Sequence, residues 1–278
     1  MVSTTQIKPA PILQPFIGCY ALRVINTGEA VMPRPLHAMN ECYMTFFLKG
    51  SSCSVLDSTE KIESKWSNNL SSLFIQPHGC CFYQGSYVLF SVQFKSNGIS
   101  AIFGIPQKLL VDTMLPSEDI LDDNNRLLTE QLASSTDIVQ MSQCMNTYLV
   151  KKLLQQHHKS STNAIAATSN IVLKNKGVVS LDALAYYANM SIRTFERRFL
   201  DEVGMSPKLY ARITRFYNAL ENKMLHPNKN FTAIAHESGY YDQAHFIKEC
   251  REFANKSPEE LFKYTPPPTE QFVAKVDY

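Results

Sequence analysis

Arg193 and Arg197 stand four residues apart, and so do Ala244 and Lys248 further along the chain. Four residues is close to one helical turn, so each pair would share one helix face. A guanidinium group presents N–H donors in a fixed fork, which suits guanine edges or phosphate oxygens. Thr194 flanks the first pair, and Gln243 and His245 lie beside the second. A glutamine at a helix start suits an adenine edge or a phosphate, and residue type alone leaves both open. Arg193, Thr194, Arg197, Gln243, Ala244, His245 and Lys248 are therefore the candidate DNA-contacting set. The competing reading for the arginines is surface pairing, with Glu196 or Asp201 as partner. For Thr194, Gln243 and His245 it is helix capping. Arg198 and Arg251 are expected beside the groove or paired with acids.

These side chains need elements to hold them, and the chain spells out the same arrangement twice. Leu184-Ala185-Tyr186-Tyr187-Ala188-Asn189-Met190-Ser191 runs into one recognition segment, and Ile234-Ala235 through Gly239-Tyr240-Tyr241-Asp242 runs into the other. Each copy reads as a short helix, a sharp turn, an N-cap and a second helix with one apolar stripe. That is a helix-turn-helix pattern, and the caps Ser191 and Asp242 are 51 residues apart. Asn189 and Gly239 sit where the turns need a left-handed residue. Ser180, Ser191 and Asp242 are N-cap types; Ser206-Pro207 and Ser257-Pro258 put proline at the first helical position, and Glu260 completes a capping box. Ile192, Phe195 and Phe199 form the inward stripe of the first recognition helix; Phe246, Cys250 and Phe253 form that of the second. Arg193 and Arg197 lie about 200° around from Phe195, on the outward face. A helix from Pro207 to about Met224 would be roughly 27 Å long. Successive major-groove entries are about 34 Å apart, so such a helix can set two reading heads in adjacent grooves. Arg212 and Arg215 on it are candidates for backbone contact or for ion pairs within the domain.

Residues about 178–263 resemble the DNA-binding domain of the AraC/XylS family of bacterial transcription regulators. The resemblance is carried by Ser180-Leu181-Asp182-Ala183-Leu184-Ala185, by Ser191 to Phe199, and by Gly204-Met205-Ser206-Pro207 with Arg215 and Ala219-Leu220. Its most specific stretch is Ile234-Ala235 and Gly239 to Phe246, ending Phe253-Ala254-Asn255-Lys256-Ser257-Pro258. Family members have seven helices with two helix-turn-helix units. Where they use glycine at the first turn and before the last Ser-Pro, this chain has Asn189 and Asn255, both tolerant of positive φ. Cys250 replaces a usual phenylalanine and Ala244 a frequent serine.

The front half reads differently. Residues 7–103 are β-rich: Thr45-Phe46-Phe47-Leu48, Leu73-Phe74-Ile75 and Tyr87 to Phe94 are apolar runs bounded by turn signals, as in a sandwich or small barrel. Val92-Gln93-Phe94-Lys95, Ala101 to Pro106 and Leu109-Leu110 resemble the end of the cupin-like barrel found in front of many such regulators, which implies effector binding or dimerisation. From about 124 the period becomes helical, through Leu127, Leu128 and Leu132 and then Met141, Met145, Tyr148 and Leu149, a stripe read as core before dimer seam. The polar stretch Gln155 to Asn163 suggests a linker, and a helical segment from Ala164 to Lys174 follows. The expected domains are 1–125, a cupin-like sensor; 126–158, a helical segment; 159–170, a linker; 171–265, the DNA-binding domain; and 266–278, a tail. The fold class is α+β: an N-terminal cupin-like β-barrel with a helical extension, then an all-α domain with two helix-turn-helix units.

No catalytic set, cofactor motif or metal set emerges. His37 and His78 are too few for a cupin metal centre, and His78-Gly79-Cys80-Cys81 is read as a loop histidine beside small buried residues. Tyr83 and Tyr87 could line a pocket but read first as core. Seven scattered cysteines without a CxxC pair read as reduced thiols, with Cys42, Cys53 and Cys144 as buried hydrophobes. No run of about 18 apolar residues and no leader pattern is present, so a cytoplasmic protein without membrane contact is expected. Net charge is only +2, with 8 Lys and Arg against 10 acids in residues 1–125 and 14 against 11 in residues 165–264. That mild excess argues against a non-specific architectural DNA binder. The expected function is a sequence-specific regulator, responsive to a small molecule and acting as an activator. Its partners would be promoter DNA, an effector, RNA polymerase if it activates, and a second copy of the chain. The alternative is a cupin-type enzyme with an appended DNA-binding domain.

Overall fold

The computed structural model describes residues 2–50, 54–56, 64–65, 68–121, 125–156 and 164–263. Cys53, His157-His158 and the tail lie outside them. β1 (Val2–Ile7), β2 (Ile17–Asn26), β3 (Met32–Pro35), β4 (Cys42–Lys49), β5 (Ser54–Leu56), β6 (Ser64–Lys65), β7 (Asn69–Ser71), β8 (Cys80–Tyr83) and β9 (Ser86–Phe94) precede the first α-helix, α1 (Gly98–Phe103). β10 (Met114–Pro116), α2 (Glu118–Leu121), α3 (Asn125–Ser134) and α4 (Ile138–Gln155) complete the front half. The strands form two antiparallel sheets, of order β1-β2-β9-β4-β7-β10 and β3-β8-β5-β6. Leu73–Ile75 is not a strand. Only Phe74 makes a bridge there, to Met39, because the sheet position is taken by β7 just upstream.

Strand pairing gives the large sheet two unlike faces. Tyr20, Phe46, Phe90 and Val92 point to one side, where Met145 and Leu149 of α4 and Leu128 and Leu132 of α3 close an apolar core. The methionine stripe of α4 is thus spent on this core. The other side faces the small sheet: Ile25, Tyr87 and Leu89 pack with Cys81 and Tyr83. Tyr83 and Tyr87 are buried and meet edge to face, so both belong to this second core. His78 bonds Asp112 at 2.9 Å, while adjacent positions in β8 send Cys80 and Cys81 to opposite faces.

Seven helices follow in residues 164–263: α5 (Ala164–Lys174), α6 (Leu181–Tyr187), α7 (Ile192–Val203), α8 (Pro207–Leu225), α9 (Phe231–Glu237), α10 (Gln243–Ala254) and α11 (Pro258–Lys263). Because α5 begins at Ala164, residues 164–170 of the expected 159–170 linker are helical. The two halves share one core and several polar links. Asn40 donates to Thr214 Oγ1 at 2.7 Å, the Ala38 N–H donates to the Phe253 carbonyl at 2.9 Å, and the Ser96 and Ser169 hydroxyls bond at 2.5 Å. Lys108 pairs with Asp201 at 2.6 Å, and His37 sets its ring edge-on to Phe216. No helix among the described residues is long and apolar enough to cross a membrane.

Candidate nucleic-acid interface

Side-chain caps start the helices that matter. Ser180, Ser191, Ser206 and Asp242 accept from the N–H groups of Ala183, Thr194, Leu209 and His245, and Ser257 with Glu260 forms a capping box. Each turn bends through a left-handed residue, Asn189 at φ 54° and Gly239 at φ 80°. At Gly239 a Cβ would lie 2.5 Å from Val178 Cγ2, so this turn needs both the conformational freedom and the missing side chain of glycine.

The first recognition helix, α7, buries Phe195, Phe199 and Val203 completely. Its outward face carries Arg193 and Arg197, both exposed and neither in an ion pair among the described residues. Asp201, a candidate partner, is taken by Lys108, and Arg198 pairs with Glu202 at 2.8 Å. Ile192 departs from expectation, for it is 43% exposed. It lies only about 20° from Phe199 around the helix, on the stripe itself, so its exposure follows from its place as the first residue of α7 and not from its face. Thr194 is half-buried and its hydroxyl accepts from Ser191.

The second recognition helix, α10, buries Phe246, Cys250 and Phe253, and exposes Ala244 and Lys248. Lys248 has no ion pair among the described residues. Gln243 and His245 are more committed. Gln243 Oε1 accepts from Thr232 of α9 at 2.6 Å. His245 stacks edge-on against Tyr240 and turns Nε2 to within 3.4 Å of Glu249.

Glu249 decides how the second head sits on its support. Its side chain is 1% exposed, yet one carboxylate oxygen takes bonds from Arg212 at 2.8 Å and Arg215 at 3.0 Å, both on α8. The same guanidinium groups stack over Phe253 and Tyr240, and Arg212 also reaches Glu252. Arg212 and Arg215 are thus structural clamps rather than free cations. The support they clamp to, α8, has 19 residues and spans roughly 28 Å.

Three exposed tyrosines were missed from sequence: Tyr186 at 88%, Tyr187 at 63% and Tyr241 at 86%. They flank the two turns, where a phenol can donate to a phosphate. The signal was present as a Tyr-Tyr pair in each copy of the repeat.

Residues 184–264 match the family model described as a helix-turn-helix domain. The chain is 30% identical over 83 residues to the HTH-type transcriptional activator RhaS of Escherichia coli strains SE11 and K12, a segment covering 30% of this chain and 30% of that protein. Looser likenesses extend over more of the molecule. Crystal structures of ToxT from Vibrio cholerae align at TM-score 0.46 and 10% identity, covering 87% of this chain and 97% of that one. An unsaturated fatty acid-bound form of ToxT aligns at TM-score 0.43 and 11% identity, covering 83% and 93%. The repeat, the caps, the two left-handed turns and the match over residues 184–264 converge, and the C-terminal domain of this chain is a double helix-turn-helix domain.

Proposed function

We propose that this protein is a sequence-specific DNA-binding transcription regulator whose α7 and α10 enter successive major grooves of one duplex. In this reading Arg193, Arg197 and Lys248 make the leading contacts and Ala244 packs against a base edge. Thr194, Gln243 and His245 hold the two helix starts in shape and touch DNA only secondarily. The β-unit is the control domain, taking an effector or a second copy of the chain, and contact with RNA polymerase would follow if the protein activates.

One observation carries the proposal. Arg198, Arg212 and Arg215 are tied into ion pairs inside the domain, while Arg193, Arg197 and Lys248 are exposed and outside any ion pair among the described residues. Cations left over on the outward faces of two capped helices suit an external polyanion. The test is selection of bound fragments from a genomic pool, followed by competition against random DNA across a salt series. A recurring site held in preference to random DNA is expected, with affinity falling steeply as salt rises. Equal capture of all fragments would overturn the proposal.

A further inference from the structure

The buried face of the large sheet carries a polar stripe that packing does not explain. Cross-strand partners in register share a face. Gln6, Ala21, Ser91, Thr45 and Asn69 therefore stand side by side across β1, β2, β9, β4 and β7, on the side that faces the small sheet. Three of the five have small side chains, so the middle of this face is shallow. One row along lies Arg23, 4% exposed in the interior of β2.

Arg23 is incompletely satisfied. Its Nη1 donates to Ser91 Oγ at 3.1 Å, its guanidinium lies 6.0 Å from the Tyr43 ring centroid, and its Nε is buried without a partner among the described residues. Gln6 Nε2, on the neighbouring strand, is also buried without one. No carboxylate pairs with Arg23 among the described residues; the acid on the same side, Glu41, accepts instead from the Tyr43 hydroxyl. A buried cation with no carboxylate in contact with it is costly, and proteins tolerate it where something else supplies the charge. Two unused N–H donors beside a shallow floor define what that is: a group with several acceptor oxygens and a negative charge.

We propose that this face binds a small molecule bearing an anionic oxyacid group, a carboxylate or a phosphate, with Arg23 as its counter-charge and Gln6 as a second donor. The effect on transcription rests on the control role proposed for the β-unit; the binding itself does not. A physical path to the reading heads is present, because Tyr43 and Glu41 adjoin Asn40 and Ala38, which bond the C-terminal domain.

Thermal unfolding of the full-length protein without DNA tests the binding separately from the DNA reading. Benzoate, butyrate and inorganic phosphate, each at constant ionic strength, would be compared with benzamide and butyramide. At least one anion is expected to raise the midpoint by several degrees at saturation, with the amides ineffective. A carboxylate-only response assigns an organic acid, and a phosphate-only response assigns a phosphate. In Arg23→Met the response should vanish while the anion-free midpoint stays level or rises, because an unpaired charge has been removed. Gln6→Leu, at an edge strand, should weaken the response without loss of stability. Equal responses to amides and anions, no response to any anion, or a large fall in the anion-free midpoint of Arg23→Met would overturn the proposal.

Discussion

Arg193 and Lys248 occupy similar positions on two helices but differ in what their charge can do. A guanidinium can bond two acceptors of one guanine, whereas an ammonium is a point charge. Arg193→Ala should therefore relax preference at one position of the site, at a cost of about 1–3 kcal/mol there. Lys248→Ala should weaken all sequences alike and reduce the salt slope by about one unit. Binding to a set of single-base variants of the selected site, at several salt concentrations, separates the two. Uniform weakening by Arg193→Ala would reassign that residue to the phosphate backbone. The outward placement of both cations was legible in the sequence, because a helix face follows from spacing alone. The commitments of Gln243 and His245 were not, since they depend on Thr232, Tyr240 and Glu249, which spacing does not bring together.

At the scale of elements, caps and turns were the most readable features. Ser180, Ser191, Ser206 and Asp242 act locally, on N–H groups three residues away. What holds α10 to α8 was far less readable, for Glu249 looks like any surface acid until the fold buries it. Removing it leaves Arg215 without its carboxylate and Arg212 with Glu252 alone, in a site with little water. Glu249→Ala should cost about 3–5 kcal/mol, the range for breaking a buried ion pair. Circular dichroism melts would show this, and DNA footprints should lose protection over the half-site read by α10 first. A melt like that of the parent protein would mean the clamp is dispensable. In the front half, β9 and β4 were legible from their apolar runs, whereas Leu73–Ile75 was misread. Its composition is that of a strand, but partner availability decided the outcome.

For the molecule as a whole, the segment His37 to Asn40 is one of the places where the β-unit meets the helical domain. His37 is buried there beside Lys256, and burial together with that charge lowers its pKa from 6.5 to about 4. The folded protein thus holds His37 neutral where an unfolded chain would take up a proton. Stability from this contact is complete above about pH 6.5 and is lost as pH falls toward 4. Melting midpoints from pH 7 to pH 4 should fall less steeply in His37→Phe than in the parent. Equal slopes would place the acid sensitivity elsewhere.

The link from the Ala38 N–H to the Phe253 carbonyl is made by main-chain atoms at both ends. Every amino acid but proline carries that donor, and every one carries that acceptor. Substitution can rewrite the surfaces around this joint without unfastening it. The β-unit and the helical domain can therefore diverge separately in sequence and stay joined at that point.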